Sequence, residues 1–139
     1  MRWILALAFL AVPATAQQFD REAIDGCLSG LGAESTGAEC ILPIRTYCVE
    51  AAGDLGEPAE IACLDRALLA LTAWSDETVE TTEGLAPMRA QVVDFRDQLT
   101  EHCRARQTGD TMEDRRDYRL CQLAGTGALY RNLLRAAPE

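Results

Sequence analysis

Apolar residues recur every three or four positions along most of the chain, the period of a helix with one buried face. The pattern is clearest from Met88, where Met88, Val92, Phe95, Leu99 and Cys103 are spaced 4, 3, 4 and 4. Phe95 is thereby expected in the core. Asp94, Arg96, Asp97, Gln98 and Glu101 take the other side, with Pro87 at the first turn. Arg96 and Asp97 stand at the core border, where an arginine ties a neighbouring segment through a carboxylate or a helix C-terminus. After the polar turn TGDT a second helix follows, with Tyr118, Cys121, Gly125, Ala128 and Leu129 on its inner face. Its small residues let helix backbones approach closely, and Leu133 and Leu134 extend the contact. Asp110 or Thr111 is placed to cap it and Glu113 to complete a capping box. The last four residues, AAPE, read as a frayed tail. Residues 86–135 therefore predict two helices folded back on each other.

Three more helices are expected upstream. The first runs from about Asp20 to Leu31, with Ile24, Cys27, Leu28 and Leu31 on one stripe and Asp20 as its cap. The small-residue connector GAESTGA follows. The second covers about Leu42 to Ala52, with Pro43 at a first-turn position, Ile41, Ile44, Cys48 and Ala52 on one face, and Gly53 as the stop. The third runs from Pro58 to about Val79. It carries two adjacent apolar stripes, Ile61, Leu64, Leu68 and Leu71, then Cys63, Ala67, Ala70 and Trp74. An apolar arc this wide belongs in the core, and Trp74 reads as a packing residue. The acidic, threonine-rich SDETVETTEG is expected to fray into a surface loop. No stretch alternates with period two. The pattern predicts an all-α fold, a disulfide-tied antiparallel array of four to five helices.

The chain has six cysteines: Cys27, Cys40, Cys48, Cys63, Cys103 and Cys121. Cys103 lies nine residues before Met112 and Cys121 nine after it, mirror positions that an antiparallel hairpin brings opposite each other. Cys48 and Cys63 flank the GDLGEP turn in the same way, and Cys27 and Cys40 flank the glycine-rich connector. The expected pairs are Cys27–Cys40, Cys48–Cys63 and Cys103–Cys121. The first four are close in sequence and other pairings among them remain open. There is no CxxC pair and no histidine spaced for zinc, so no metal and no cofactor is expected.

Residues 1–16 read as a secretory signal peptide, and in an exported chain an even cysteine number implies three disulfides. MRWILALAFLAVPATA has a basic Arg2, an apolar run from Ile4 to Val12, and an Ala14-Thr15-Ala16 cleavage signal. The apolar run is too short to span a bilayer. A signal peptide at 1–16 and one domain at 17–139 are expected, periplasmic or secreted. Cleavage near Ala16 would remove Arg2 and no acid, leaving 12 arginines against 22 carboxylates and no lysine. That balance disfavours nucleic acid and anionic lipid; keeping a secreted protein soluble explains it most simply, and it would also favour encounter with a cationic protein.

Chemistry is sparse. His102 is the only histidine, and no oriented Ser/His/Asp set can be built around it. Disulfide pairing leaves no cysteine nucleophile. An enzyme is not expected, and no catalytic residue is assigned. The most concentrated charge surrounds the hairpin turn. There Arg104, Arg106, Arg115, Arg116 and Arg119 stand among Glu101, Asp110, Glu113, Asp114 and Asp117. A solvated surface with i,i+3 and i,i+4 pairs explains this charge most simply. If a partner is bound, Arg104, Arg106, Arg115 and Arg116 are the contact candidates.

Four elements of residues 63–134 carry a family likeness. They are the CLDR of Cys63 to Arg66, the aromatic-Arg-Asp run before a cysteine in VVDFRDQLTEHC, the polar turn, and Cys121 followed five residues later by Thr126. In these the chain resembles the LprI-type lysozyme-inhibitor family, small exported helical proteins. It departs from the family pattern in three places, the first being that the Trp-Asp and Leu-Asn pairs usual in the long helix are absent unless Trp74-Ser75-Asp76 replaces them. Val92 stands where a tryptophan is usual, and Cys103 follows Asp97 by six residues rather than about three. The resemblance implies an exported binding protein with a lysozyme-like enzyme as its partner. The alternative is a non-inhibitory interaction or structural module of the cell envelope. Oligomeric state is not readable from the sequence.

Overall fold

The computed structural model describes residues 19–137, which form five α-helices, with no strand among the described residues. The leader expected at 1–16 lies outside them. The helices are α1 (Arg21–Gly30), α2 (Ala38–Ala52), α3 (Glu57–Thr81), α4 (Arg89–Arg106) and α5 (Met112–Ala136). Short 3₁₀ turns at Gly53–Leu55 and Ala86–Met88 lead into α3 and α4. No helix is long and apolar enough to cross a membrane among the described residues. All three disulfides close as expected, at Cα separations of 5.8 Å (Cys27–Cys40), 5.4 Å (Cys48–Cys63) and 5.7 Å (Cys103–Cys121).

Helix α5 is the hub, packing on all four others, most extensively on α3. Its partners on α3 climb in step, from Arg116 beside Glu57 through Arg119 beside Asp65 to Tyr130 beside Trp74, so the two run parallel. Helix α4 returns antiparallel to α5. The main core joins Leu28, Ile41, Ile44, Leu64, Leu71 and Tyr130. A second cluster, Val79, Val92, Leu129 and Leu133, closes the other end. Each fully buried leucine contributes roughly 1.5–3 kcal/mol. Two glycines admit the close approaches. A Cβ at Gly125 would stand 2.3 Å from Leu99 Cδ1, and one at Gly127 would stand 2.6 Å from Ile41 Cγ1.

Several boundaries differ from expectation, each for a physical reason. Helix α2 begins at Ala38, so Pro43 lies inside it rather than in the first turn. Burial of Cys40 and Ile41 draws the preceding residues into the helix. Glu39, whose carbonyl loses its donor to Pro43, is exposed to water. Gly37 starts this helix with φ 86°, a left-handed conformation that favours glycine. Helix α3 continues to Thr81 where a frayed loop was expected. Ser75, Thr78 and Thr81 donate back to the carbonyls of Leu71, Trp74 and Glu77 at 2.7, 2.7 and 2.8 Å, so these hydroxyls need no water. Val79 is buried there. Phe95 is 37% exposed and not core. The inward stripe of α4 is Val92, Arg96, Leu99 and Cys103, which fits the helical period equally well. Arg96 Nη1 donates to Asp76 at 2.6 Å and Nη2 to the Thr72 carbonyl at 3.2 Å, so it bridges α4 to α3 as a core-border arginine should. Helix α5 includes Ala136, part of the expected tail, and residues 138–139 lie outside the description.

Candidate functional site

The hairpin tip is built from the last turn of α4, residues 107–111, and the first turns of α5. Thr111 is the N-cap, and its hydroxyl accepts from Asp114 N at 3.1 Å while the Asp114 carboxylate accepts from Thr111 N at 3.0 Å. The capping box is therefore completed by Asp114 and not Glu113, because the cap lies one residue later than Asp110. Asp114 also accepts from the hydroxyls of Thr111 (2.6 Å) and Thr108 (3.2 Å), and these bonds hold its carboxyl below the usual range. A Cβ at Gly109 would stand 2.7 Å from Asp114 Oδ2, so a larger residue there would displace that carboxylate. Arg115 donates two parallel bonds to Asp110, at 2.9 and 3.0 Å, which lowers the Asp110 pKa and raises that of Arg115. The Cys103–Cys121 bridge pins the base of this turn.

The structure separates the four arginines proposed as contacts. Arg104 and Arg106 are exposed on the last turn of α4, and no carboxylate among the described residues pairs with either. Their charges oppose the partial negative charge of that helix end. Arg115 is committed to Asp110 on one side. Arg116 is half-buried and turned toward α3, 3.8 Å from Glu57 and 4.0 Å from Glu113 and from Asp117. It is an inter-helix tie as much as a surface charge.

The tip is concave on both flanks. One groove, about 390 Å³, is lined by Arg104, Gln107, Arg115, Tyr118 and Arg119. The other, about 320 Å³, lies over the disulfide and is lined by Arg106, Thr108, Asp114 and Asp117 among others. No family model, no curated protein and no solved structure matches the chain. Among the described residues no group of histidine, cysteine, aspartate or glutamate could hold a metal ion. His102 is exposed and takes part in no ion pair among the described residues.

Two buried polar assemblies escaped the sequence reading. Tyr130, fully buried, donates to Asp25 at 2.6 Å and accepts from Arg21 Nε at 3.2 Å. Arg21 also reaches Glu77 at 2.5 Å and lies 5.7 Å over the Trp74 ring, so one cluster ties α1 to α3 and α5. Trp74 is a packing residue as expected, half-buried against the core and tilted on Tyr130. Burial first, and the bond to Asp25 second, push the Tyr130 pKa up to about 12. The second assembly is Arg131, buried, which donates to the carbonyls of Gly32 and Ser35 and so holds the α1–α2 connector. A second stripe on α5, Leu123, Gly127, Tyr130 and Leu134, was the signal for the first assembly. It is masked by the stripe that faces α4.

Proposed function

We propose that this protein is an exported binding protein, periplasmic or extracellular, that docks on a lysozyme-like enzyme and inhibits it. It binds and does not catalyse. The observation that carries the reading is the disulfide-pinned tip, which holds the unpaired guanidiniums of Arg104 and Arg106 on an ordered turn. Glycosidases of this kind work with a pair of cleft carboxylates, and guanidinium meets carboxylate in a two-bond fork. The likeness of residues 63–134 to the LprI-type family points the same way. Three closed disulfides with no free cysteine among the described residues fit an oxidising compartment. The excess of carboxylates over arginines elsewhere on the chain steers a cationic enzyme inward, an effect that salt weakens. The test is a lysozyme turnover assay with purified, disulfide-intact protein at low salt. The rate should fall as protein is added and recover as salt is raised. Unchanged turnover at excess protein discards the inhibitor reading for that enzyme.

One observation favours a second reading, a non-inhibitory interaction module of the envelope. Leu42, Val49 and Leu55 are 60%, 49% and 77% exposed on α2 and the turn after it. Leu42 lines an apolar groove of about 190 Å³ between α2 and α5. Exposed apolar surface of this kind marks docking sites. A stoichiometric partner captured from envelope extract by the wild type and lost in L42D would favour this module over the inhibitor.

A further inference from the structure

The two flanks of the hairpin tip differ in chemistry. The flank over the disulfide presents Asp114 and Asp117 beside Arg106. The groove on the other flank has no carboxylate in its lining: it is formed by Arg104, Gln107, Arg115, Tyr118 and Arg119. It is donor-rich on a protein that is otherwise strongly acidic.

Each guanidinium in it has spare donors, and two are held in place. Asp65 takes Nε of Arg119, and the guanidinium carbon lies 5.2 Å over the Tyr118 ring, which leaves both terminal amino groups of Arg119 available. Asp110 takes Nε and Nη2 of Arg115, leaving Nη1. Arg104 spends no side-chain donor among the described residues. Guanidinium carries five N–H groups and no acceptor, so these three residues line one space with many donors, and no carboxylate is among its lining residues. Arg115 and Arg119 are one helical turn apart on α5, and Arg104 approaches from α4. Donors from three separate points suit a ligand with three or more outward oxygens better than one with two.

We propose that this groove binds a phosphate group, as the free ion or as a phosphate ester. The groove, about 390 Å³, lies within the ~300–1,000 Å³ range of small-molecule sites and leaves room for an organic substituent beside the phosphate. Arg119 and Arg115 supply preorganised donors, and Arg104 closes on the ligand as the free cation. The groove is open to water, so binding weakens as salt rises. The site shares Arg104 with the docking tip proposed above and otherwise stands apart from it. Phosphate binding can be measured with no enzyme present.

The experiment is an NMR titration of ¹⁵N-labelled, disulfide-intact protein with inorganic phosphate, glycerol 3-phosphate, acetate and chloride, at matched pH and ionic strength. Saturable shifts at the amides of Gln107, Tyr118 and Arg119 are expected with phosphate, and acetate should bind at least tenfold more weakly. Glycerol 3-phosphate binding as tightly as the free ion, or tighter, identifies the ester as the ligand form. Tighter binding of the free ion identifies phosphate itself. R104Q removes no contact within the protein, so its spectrum should stay native while phosphate affinity falls at least tenfold. R119Q should weaken binding as well. Shifts that chloride reproduces, acetate binding equal to phosphate, or undiminished affinity in folded R104Q would each overturn the proposal.

Discussion

Tyr130 shows how a single side chain couples pH to stability in this protein. Its phenol is fully buried between Asp25 and Arg21, and its pKa is pushed up to about 12. An acid with a raised folded pKa is favoured in its protonated form. The neutral phenol therefore contributes full stability below the unfolded value near 10, and the contribution drains away as pH climbs from about 10 to 12. Two units correspond to about 3 kcal/mol. Urea unfolding with short incubations should show that decline in the wild type, and Y130F should be less stable at pH 8 yet flat across the same window. The glycines make an equally local contrast. G125A forces a Cβ onto Leu99 and should cost about 1–3 kcal/mol of crowding, more than the ~1 kcal/mol gained in helix propensity. G26A, in α1 with nothing within 4 Å of its new Cβ, should stabilise by about 0.5–1 kcal/mol. Thermal melts of the pair should move in opposite directions. At this scale the sequence was only partly legible. Phe95 and Arg96 are neighbours and both complete a helical stripe through Val92, Leu99 and Cys103. Hydrophobicity favoured the phenylalanine. The structure turns the arginine inward, because Asp76 and the Thr72 carbonyl of α3 satisfy its charge.

At the scale of elements the cysteines were the most legible feature. Their near-symmetric placement about three turns encodes three antiparallel joints, and all three bridges form as that symmetry implies. The hairpin bridge encloses an 18-residue separation, and replacing Cys103 and Cys121 by alanine should cost about 2–5 kcal/mol. Chemical denaturation should read that loss, and proteolysis should find the turn between α4 and α5 newly exposed. Helix ends were less legible. The third helix was expected to end near Val79 and SDETVETTEG to fray, yet α3 reaches Thr81, its hydroxyls bond back to carbonyls one turn earlier, and Val79 joins the second core cluster. Pro43 reads as a start signal, yet the bridge and burial at Cys40 extend α2 beyond it. Tertiary packing outweighed local preference in both cases.

At the scale of the whole molecule the fold is a set of helices gathered on α5, and the charge is uneven. Arginines and carboxylates are mixed at the hairpin tip, while carboxylates predominate over the rest of the chain. The tip was legible in the sequence as dense mixed charge. Its division was not, because the direction of each guanidinium depends on α3. Glu57 draws Arg116 inward and Asp65 holds Arg119, and neither acid is near the tip in sequence. Arg104 and Arg106 remain as the free cations on which docking is proposed to depend. The most direct measurement is lysozyme turnover titrated, at low salt, with the wild type and with R104A/R106A. The account predicts inhibition by the wild type and at least a tenfold weaker effect of the folded double variant. Equal inhibition by the two proteins would contradict docking through the tip, and undiminished turnover at excess wild type would contradict inhibition of that enzyme altogether.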